Sequence, residues 1–162
     1  MARSKHGKSD QAPRIINRRA QYAYHITDCL EVGIELQGSE VKSVRSGQVS
    51  LAEGFARVDP NTLELYLHQV DIALYPHAGT EQHDPKKIRK LLVHRRQIKQ
   101  LLNKTLGKGV TLVPVSMYFV RGRIKLELGV GVGKRAFDKR AVLKKREADR
   151  AMERGMTRKI IR

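Results

Sequence analysis

Cysteine is nearly absent from this chain: Cys29 is the only one among 162 residues. A single thiol excludes an intramolecular disulfide and any zinc site built on paired cysteines. Tryptophan is missing, and aromatic residues make up 5% of the chain, so a core must be assembled mostly from aliphatic side chains. Long apolar runs are also lacking. No stretch approaches the roughly 20 residues that a membrane-spanning helix requires, and residues 1–19 have no apolar segment of the signal-peptide kind. The expectation is a soluble, cytoplasmic chain in a reducing compartment, long enough for one domain with tails. Acidic side chains are scarce as well. The balance is 16 Asp and Glu against 33 Lys and Arg, a net charge of +17. A field of that sign attracts polyanions, nucleic acid first and an anionic membrane surface second.

The surplus lies at the ends. Residues 1–19 hold six basic residues and one acidic residue, net +5. Residues 20–133 hold fifteen and eleven, net +4, and residues 134–162 hold twelve and four, net +8. The polar, aperiodic start predicts a flexible basic arm over residues 1–16. Residues 17–133 carry the folded domain. The basic tail over residues 134–162 has scattered apolar residues and good helix formers, which predicts disorder when free and a helix against a polyanion.

Within the domain, β-formers at 22–26, alternation across 49–58 and 63–68, and a turn at 59–61 predict a first strand and a hairpin. A short helix is expected at 39–45, with Ser39 as a weak cap and no capping box. Leucines and isoleucines from Leu91 to Leu106 recur at helical spacing and predict an amphipathic helix with Arg95, Arg96, Lys99 and Lys104 in water. Residues 110–120 and 124–132 form a second hairpin about Gly122. Together these predict a mainly β fold: an OB-like antiparallel barrel of about six strands with two to three helices.

Six histidines invite a metal reading, but no His-x-x-x-His spacing or paired acid supports one. No nucleophile elbow or P-loop occurs, and Gly129-Val130-Gly131-Val132-Gly133 suits a bending strand better than a dinucleotide site. No catalytic residue, metal or cofactor is expected. Arg45, Lys86, Lys87, Arg89, Lys90, Arg95 and Arg96 gather around the short helix and the start of the longer one, a pattern that suits phosphate holding and an ordinary solvated helix face equally. Tyr22, Tyr24, Tyr118 and Phe119 could stack on bases, although at least half are expected in the core.

Three separated motifs carry a resemblance. The first is Asn17-Arg18-Arg19-Ala20 followed by Glu31-x-Gly33-Ile34-x-Leu36-x-Gly38-x-Glu40-Val41-Lys42-Ser43-x-Arg45-x-Gly47. The second is Asp84-Pro85 with Arg89-Lys90-Leu91-Leu92, and the third is Gly133-Lys134-Arg135 with Asp138-Lys139-Arg140. In this order they resemble the small protein B family, also called the SsrA-binding proteins. The resemblance implies an OB-like barrel that binds the tRNA-like part of transfer-messenger RNA. It implies delivery of that RNA, with elongation factor Tu and GTP, to ribosomes stalled on a message without a stop codon, where trans-translation tags the incomplete peptide. The RNA-binding set it implies here is Asn17, Arg18, Glu31, Lys42, Arg45, Arg89, Lys90, Leu92 and His94. The tail that it sends toward the decoding centre and the empty message channel comprises Lys134, Arg135, Phe137, Asp138, Lys139, Arg140, Lys144, Lys145 and Arg146. Phe137 departs from members with His at that place, keeping a flat ring and losing a hydrogen bond. Lys87 stands where Arg is frequent and lacks the bidentate fork. The free protein is expected to be monomeric.

Overall fold

The computed structural model describes residues 12–78 and 82–160. The expected arm therefore lies outside the described residues as far as residue 11. The elements are β1 (Ile15–Ile16), α1 (Arg18–Ala23), β2 (Tyr24–Ile34), α2 (Gly38–Arg45), β3 (Val49–Ser50), β4 (Phe55–Asp59) and β5 (Glu64–His68). After them come β6 (Asp71–Ile72), β7 (Arg89–Leu92), α3 (Arg95–Thr105), β8 (Val110–Val120), β9 (Arg123–Gly133) and α4 (Ala136–Ile160). Six antiparallel strands pair in the order β8-β4-β5-β7-β2-β9, and the β8–β9 ladder closes the ring. This is the expected barrel.

Alternation builds the wall. Ala56 and Val58 of β4, Leu65 and Leu67 of β5, and Ile124, Leu126, Leu128 and Val130 of β9 all point into one aliphatic core. Residues between them face outward, as the period of two requires. Ile98 and Leu101 bring α3 onto the same core. Arg121 and Gly122 both have positive φ, 50° and 77°, in the two-residue turn joining β8 to β9. That handedness matches the strand twist, and glycine adopts it at little cost. Gly129 lies where a Cβ would come within 2.9 Å of Ile26 and of Val115, so the neighbouring strands use its missing side chain.

One buried inward position is not apolar. Arg89 of β7 is 2% exposed and alternates with Leu91 into the interior. Its Nε donates to Glu40 Oε1 of α2 at 2.7 Å. Nη1 donates to the carbonyls of Val70 and Lys87, and Nη2 to those of Asp84 and Pro85. All five guanidinium N–H groups are thus met. Glu40 uses its other oxygen to accept from the Gln37 amide at 2.7 Å, which caps α2.

Several local expectations differ from the structure. Tyr22 and Ala23 end α1 rather than opening the strand, which begins at Tyr24. A helix this short has little intrinsic stability, and tertiary bonds from Asn17 hold it. The α2 cap is Gln37 with Glu40, not Ser39. Arg89 to Leu92 is a strand and not the start of the helix, because ladders with β2 and β5 outweigh the leucine spacing. The strand expected over 49–58 breaks at residues 51–54, where the Gly54 amide turns back to the Leu51 carbonyl. Its first part pairs with β6 in a separate two-stranded sheet.

Arg89→Met should destabilise the fold by about 3–5 kcal/mol in urea titration, because Glu40 and four carbonyls lose their donors. Ser43 Oγ is buried without a hydrogen-bond partner among the described residues. Ser43→Ala should therefore leave thermal stability unchanged or raise it, and a clear fall in melting temperature would show a partner that the side chain does have.

Candidate RNA interface

Register places the exposed residues. Val32 and Ile34 of β2 point inward, so Glu31 and Gly33 face out. Gly33 pairs with Leu92 of β7. A Cβ on Gly33 would sit 3.1 Å from Leu92 Cβ, so the glycine gives the leucine room to rest over β2. Leu92 remains 53% exposed. His94 follows two residues on, exposed at the N-cap of α3 and making no side-chain capping bond. Glu31, Leu92 and His94 thus share the exterior of the β2–β7 edge.

Glu31 is braced rather than bare. Its Oε2 accepts from the Tyr118 hydroxyl at 2.6 Å, and Lys125 Nζ stands 3.4 Å from Oε1. The Tyr118 bond, helped by Lys125, holds the Glu31 carboxyl below the usual carboxylate range. The same bond, with burial and the nearby charge, pushes the Tyr118 phenol up to about 12. Arg14 lies over the Tyr118 ring at 4.9 Å and donates to Glu127 and Ser116. Alternation of β8 and β9 places Tyr118 and Lys125 outward. Sequence reading overlooked Lys125 and Arg14 and gave Gly33 no role beyond its place in the first motif, although strand period and hairpin register would have aligned Lys125 with Tyr118.

The basic residues divide into paired and unpaired groups. Lys90 is tied to Glu64, and Lys104 to Asp28. Arg18, Lys42 and Arg45 are exposed and pair with no carboxylate among the described residues. Lys42 sits 5.2 Å from the Tyr75 ring centre and Arg45 sits 5.6 Å from that of Phe119. A hollow of about 450 Å³ lies between Leu36, Val41, Leu92, Arg123 and Lys125. Tyr22, Tyr24, Tyr118 and Phe119 are all only half-buried, so fewer belong to the core than expected.

Two residues of the expected RNA-binding set are not available to RNA. Arg89 is enclosed with Glu40, its donors filled by protein acceptors. Asn17 is 4% exposed. Its Oδ1 accepts from the Ala20 amide at 3.0 Å, and its Nδ2 donates to the carbonyls of Leu51 and Pro114 at 2.7 and 2.8 Å. It caps α1 and joins that helix to the barrel.

The start of the tail is anchored. Lys134 donates from its backbone to Ala23 O and from Nζ to Gln21 O, both at 2.9 Å, filling carbonyls at the end of α1. Asp138 accepts from the Arg135 amide at the first turn of α4, where a carboxylate suits the helix dipole. Phe137 is 80% exposed. Arg135, Asp138, Arg140 and Lys144 are exposed and Lys139 is half-exposed. The side chains of Lys145 and Arg146 lie outside the described residues.

Among the described residues no group of three or more His, Cys, Asp or Glu is placed to hold a metal ion. No helix among them is long and apolar enough to cross a membrane. Because the Tyr118 hydroxyl is the main cause of the low Glu31 pKa, Tyr118→Phe should raise that pKa toward the ordinary carboxylate value, read by carboxyl carbon NMR. The contribution of the ionised Glu31 to stability is present at neutral pH and lost as pH falls through the lowered pKa, so Tyr118→Phe should flatten the acid side of the pH–stability curve.

The family model described as SmpB protein matches residues 14–158. An SsrA-binding protein of Thermobifida fusca is 46% identical over 98% of this chain and 99% of its own length. One from a Mycobacterium species (strain KMS) is 44% identical over 98% and 97%. A solved chain described as "tmRNA-SmpB: a journey to the center of the bacterial ribosome" is 44% identical, with a TM-score of 0.66 over 77% of this chain and 87% of its own. The motifs, the closed six-strand ring and these matches along nearly the whole sequence agree: the chain belongs to the SmpB family.

Proposed function

We propose that this protein binds transfer-messenger RNA and delivers it to stalled ribosomes for trans-translation, as a binding factor and not an enzyme. The observation that carries this reading is the placement of two different surfaces. The β2–β7 face holds Glu31, Leu92 and His94 in one exposed patch with Lys125, while the tail roots on α1 at the other end of β2. Glu31 lies seven steps along that strand from Tyr24, roughly 23 Å at the strand rise.

On this reading the patch recognises the tRNA-like part of the RNA. Exposed Arg18, Lys42 and Arg45 hold phosphates, and Lys90 contributes when an RNA phosphate displaces Glu64. Arg135, Phe137, Asp138, Lys139, Arg140, Lys144, Lys145 and Arg146 face ribosomal RNA around the decoding centre and the message channel. Lys134 sets where that segment starts. The tail, helical as α4, carries that helix onto ribosomal RNA. The protein acts as a monomer in the cytoplasm, in complex with charged transfer-messenger RNA and elongation factor Tu with GTP. Relatives are named for SsrA binding, and a solved relative was described with the ribosome, which supports both halves of the reading.

The test compares the full chain with one ending at Arg135, a cut that keeps the Lys134 bonds to α1. Both should bind the tRNA-like RNA with an affinity that falls steeply as salt rises. Only the full chain should support peptide tagging in translation of a message without a stop codon. Absence of RNA binding by the full chain would overturn the reading, and loss of binding in the shortened chain would overturn the division of labour.

A further inference from the structure

Phe55, at the start of β4, is 38% exposed although it is a large aromatic on a barrel wall. Its ring is stacked on His68, its cross-strand partner in β5, with centroids 5.1 Å apart and planes 9° from parallel. Burial and the nearby Arg57 charge push the His68 imidazole below its ordinary pKa, so the stacked pair is uncharged at neutral pH. Two surface hollows meet at Phe55. One, of about 470 Å³, runs toward Arg57, Pro60 and Leu106. The other, of about 390 Å³, runs toward Tyr24, Arg19 and Ala23.

The surroundings are cationic. Arg57 lines the first hollow without a salt bridge among the described residues, with Asp59 near enough to feel its charge, and Arg19 lines the second, bonded to the exposed Glu53. A flat ring pair flanked by the Arg57 and Arg19 guanidinium groups suits a nucleotide, whose base stacks while its phosphate meets a cation.

Position separates this surface from the patch around Glu31. In the closed ring β4 is three strands from β2 in either direction, so the two faces look to opposite sides. Ala56 pairs with Leu112, and Val110 with Val132, which sets Phe55 at the end of the barrel where β9 gives way to the tail. The hollow beside Phe55 is bounded by α1, and Lys134 is bonded to the end of that helix.

We propose that the Phe55–His68 pair is a second stacking platform, which receives one unpaired base of ribosomal RNA while the β2–β7 face holds the delivered RNA. This rests on the functional reading above, in which the tail leads onto ribosomal RNA.

The experiment uses the full chain with Phe55→Ala, Phe55→Tyr and Phe55→Leu, each checked for an unchanged circular dichroism melt. Binding to the isolated tRNA-like RNA should be unchanged in all three. Binding of the protein–RNA complex to stalled ribosomes should weaken on the order of tenfold for Phe55→Ala and Phe55→Leu, and Phe55→Tyr should restore it. A benzophenone amino acid at position 55 should crosslink to ribosomal RNA. Loss of tRNA-like RNA binding in Phe55→Ala, unchanged ribosome binding, or a crosslink to ribosomal protein would each overturn the proposal. If the unaltered protein failed to bind the tRNA-like RNA at all, the functional reading itself would fall, which is a distinguishable result.

Discussion

The buried pair of Arg89 and Glu40 is the contact on which the working surfaces depend. It joins α2 to β7 across 49 residues of sequence. Burying two charges costs several kcal/mol each unless every lone pair and proton finds a partner. Here the guanidinium fills five acceptors and the carboxylate caps a helix, so both groups are met. The result is positional. Glu40 sets where α2 begins and so where Lys42 and Arg45 project. Arg89 sets β7, which carries Lys90 and Leu92 outward on alternate positions. His83 extends the same pinning: its Nε2 donates to Ile72 O, and its Nδ1 is hydrogen-bonded to the Ser39 hydroxyl at the start of α2.

The closed ring turns these local placements into separate faces. A barrel without free edges gives each outward side chain a fixed bearing, and a shift of one residue in register would reverse every one. Glycine contributes where strands approach closely, at Gly33 under Leu92 and at Gly129 between Ile26 and Val115. Hence a chain with few aromatics can still present rings at chosen points: Tyr118 under Arg14, Phe119 under Arg45, Tyr75 under Lys42 and Phe55 on His68.

What was legible in the sequence followed from period and composition. The long hairpin of β8 and β9, the β4–β5 hairpin and the apolar face of α3 each repeat a pattern over enough residues to override local noise. The motifs likewise marked Glu31, Leu92 and His94, which the fold brings together. What could not be read depended on partners distant in the chain. Nothing near Arg89 indicates that Glu40 will meet it in the interior, and an arginine beside Lys86, Lys87 and Lys90 reads as one more phosphate ligand. Asn17 stands before two arginines, and its role comes from carbonyls at Leu51 and Pro114. The α1 helix is too short to announce itself against Tyr22 and Tyr24. In both cases a polar residue inside a basic motif is structural because the barrel closes over it.

A carboxylate at the centre of a surface proposed to hold RNA needs a physical reason. Left free, Glu31 would repel phosphates at short range. Its two oxygens instead face Tyr118 and Lys125, and its lowered pKa keeps it ionised as an acceptor. A charge so arranged adds little attraction, but it fixes direction: the donors of a base edge or a ribose hydroxyl can approach the remaining lone pairs only from outside the barrel. On the proposed reading, attraction comes from Lys42 and Arg45, which have no acidic partner among the described residues and lie over rings. If RNA is held as proposed, phosphate contacts and base contacts have different residues behind them, and the first can supply affinity without eroding the selectivity of the second.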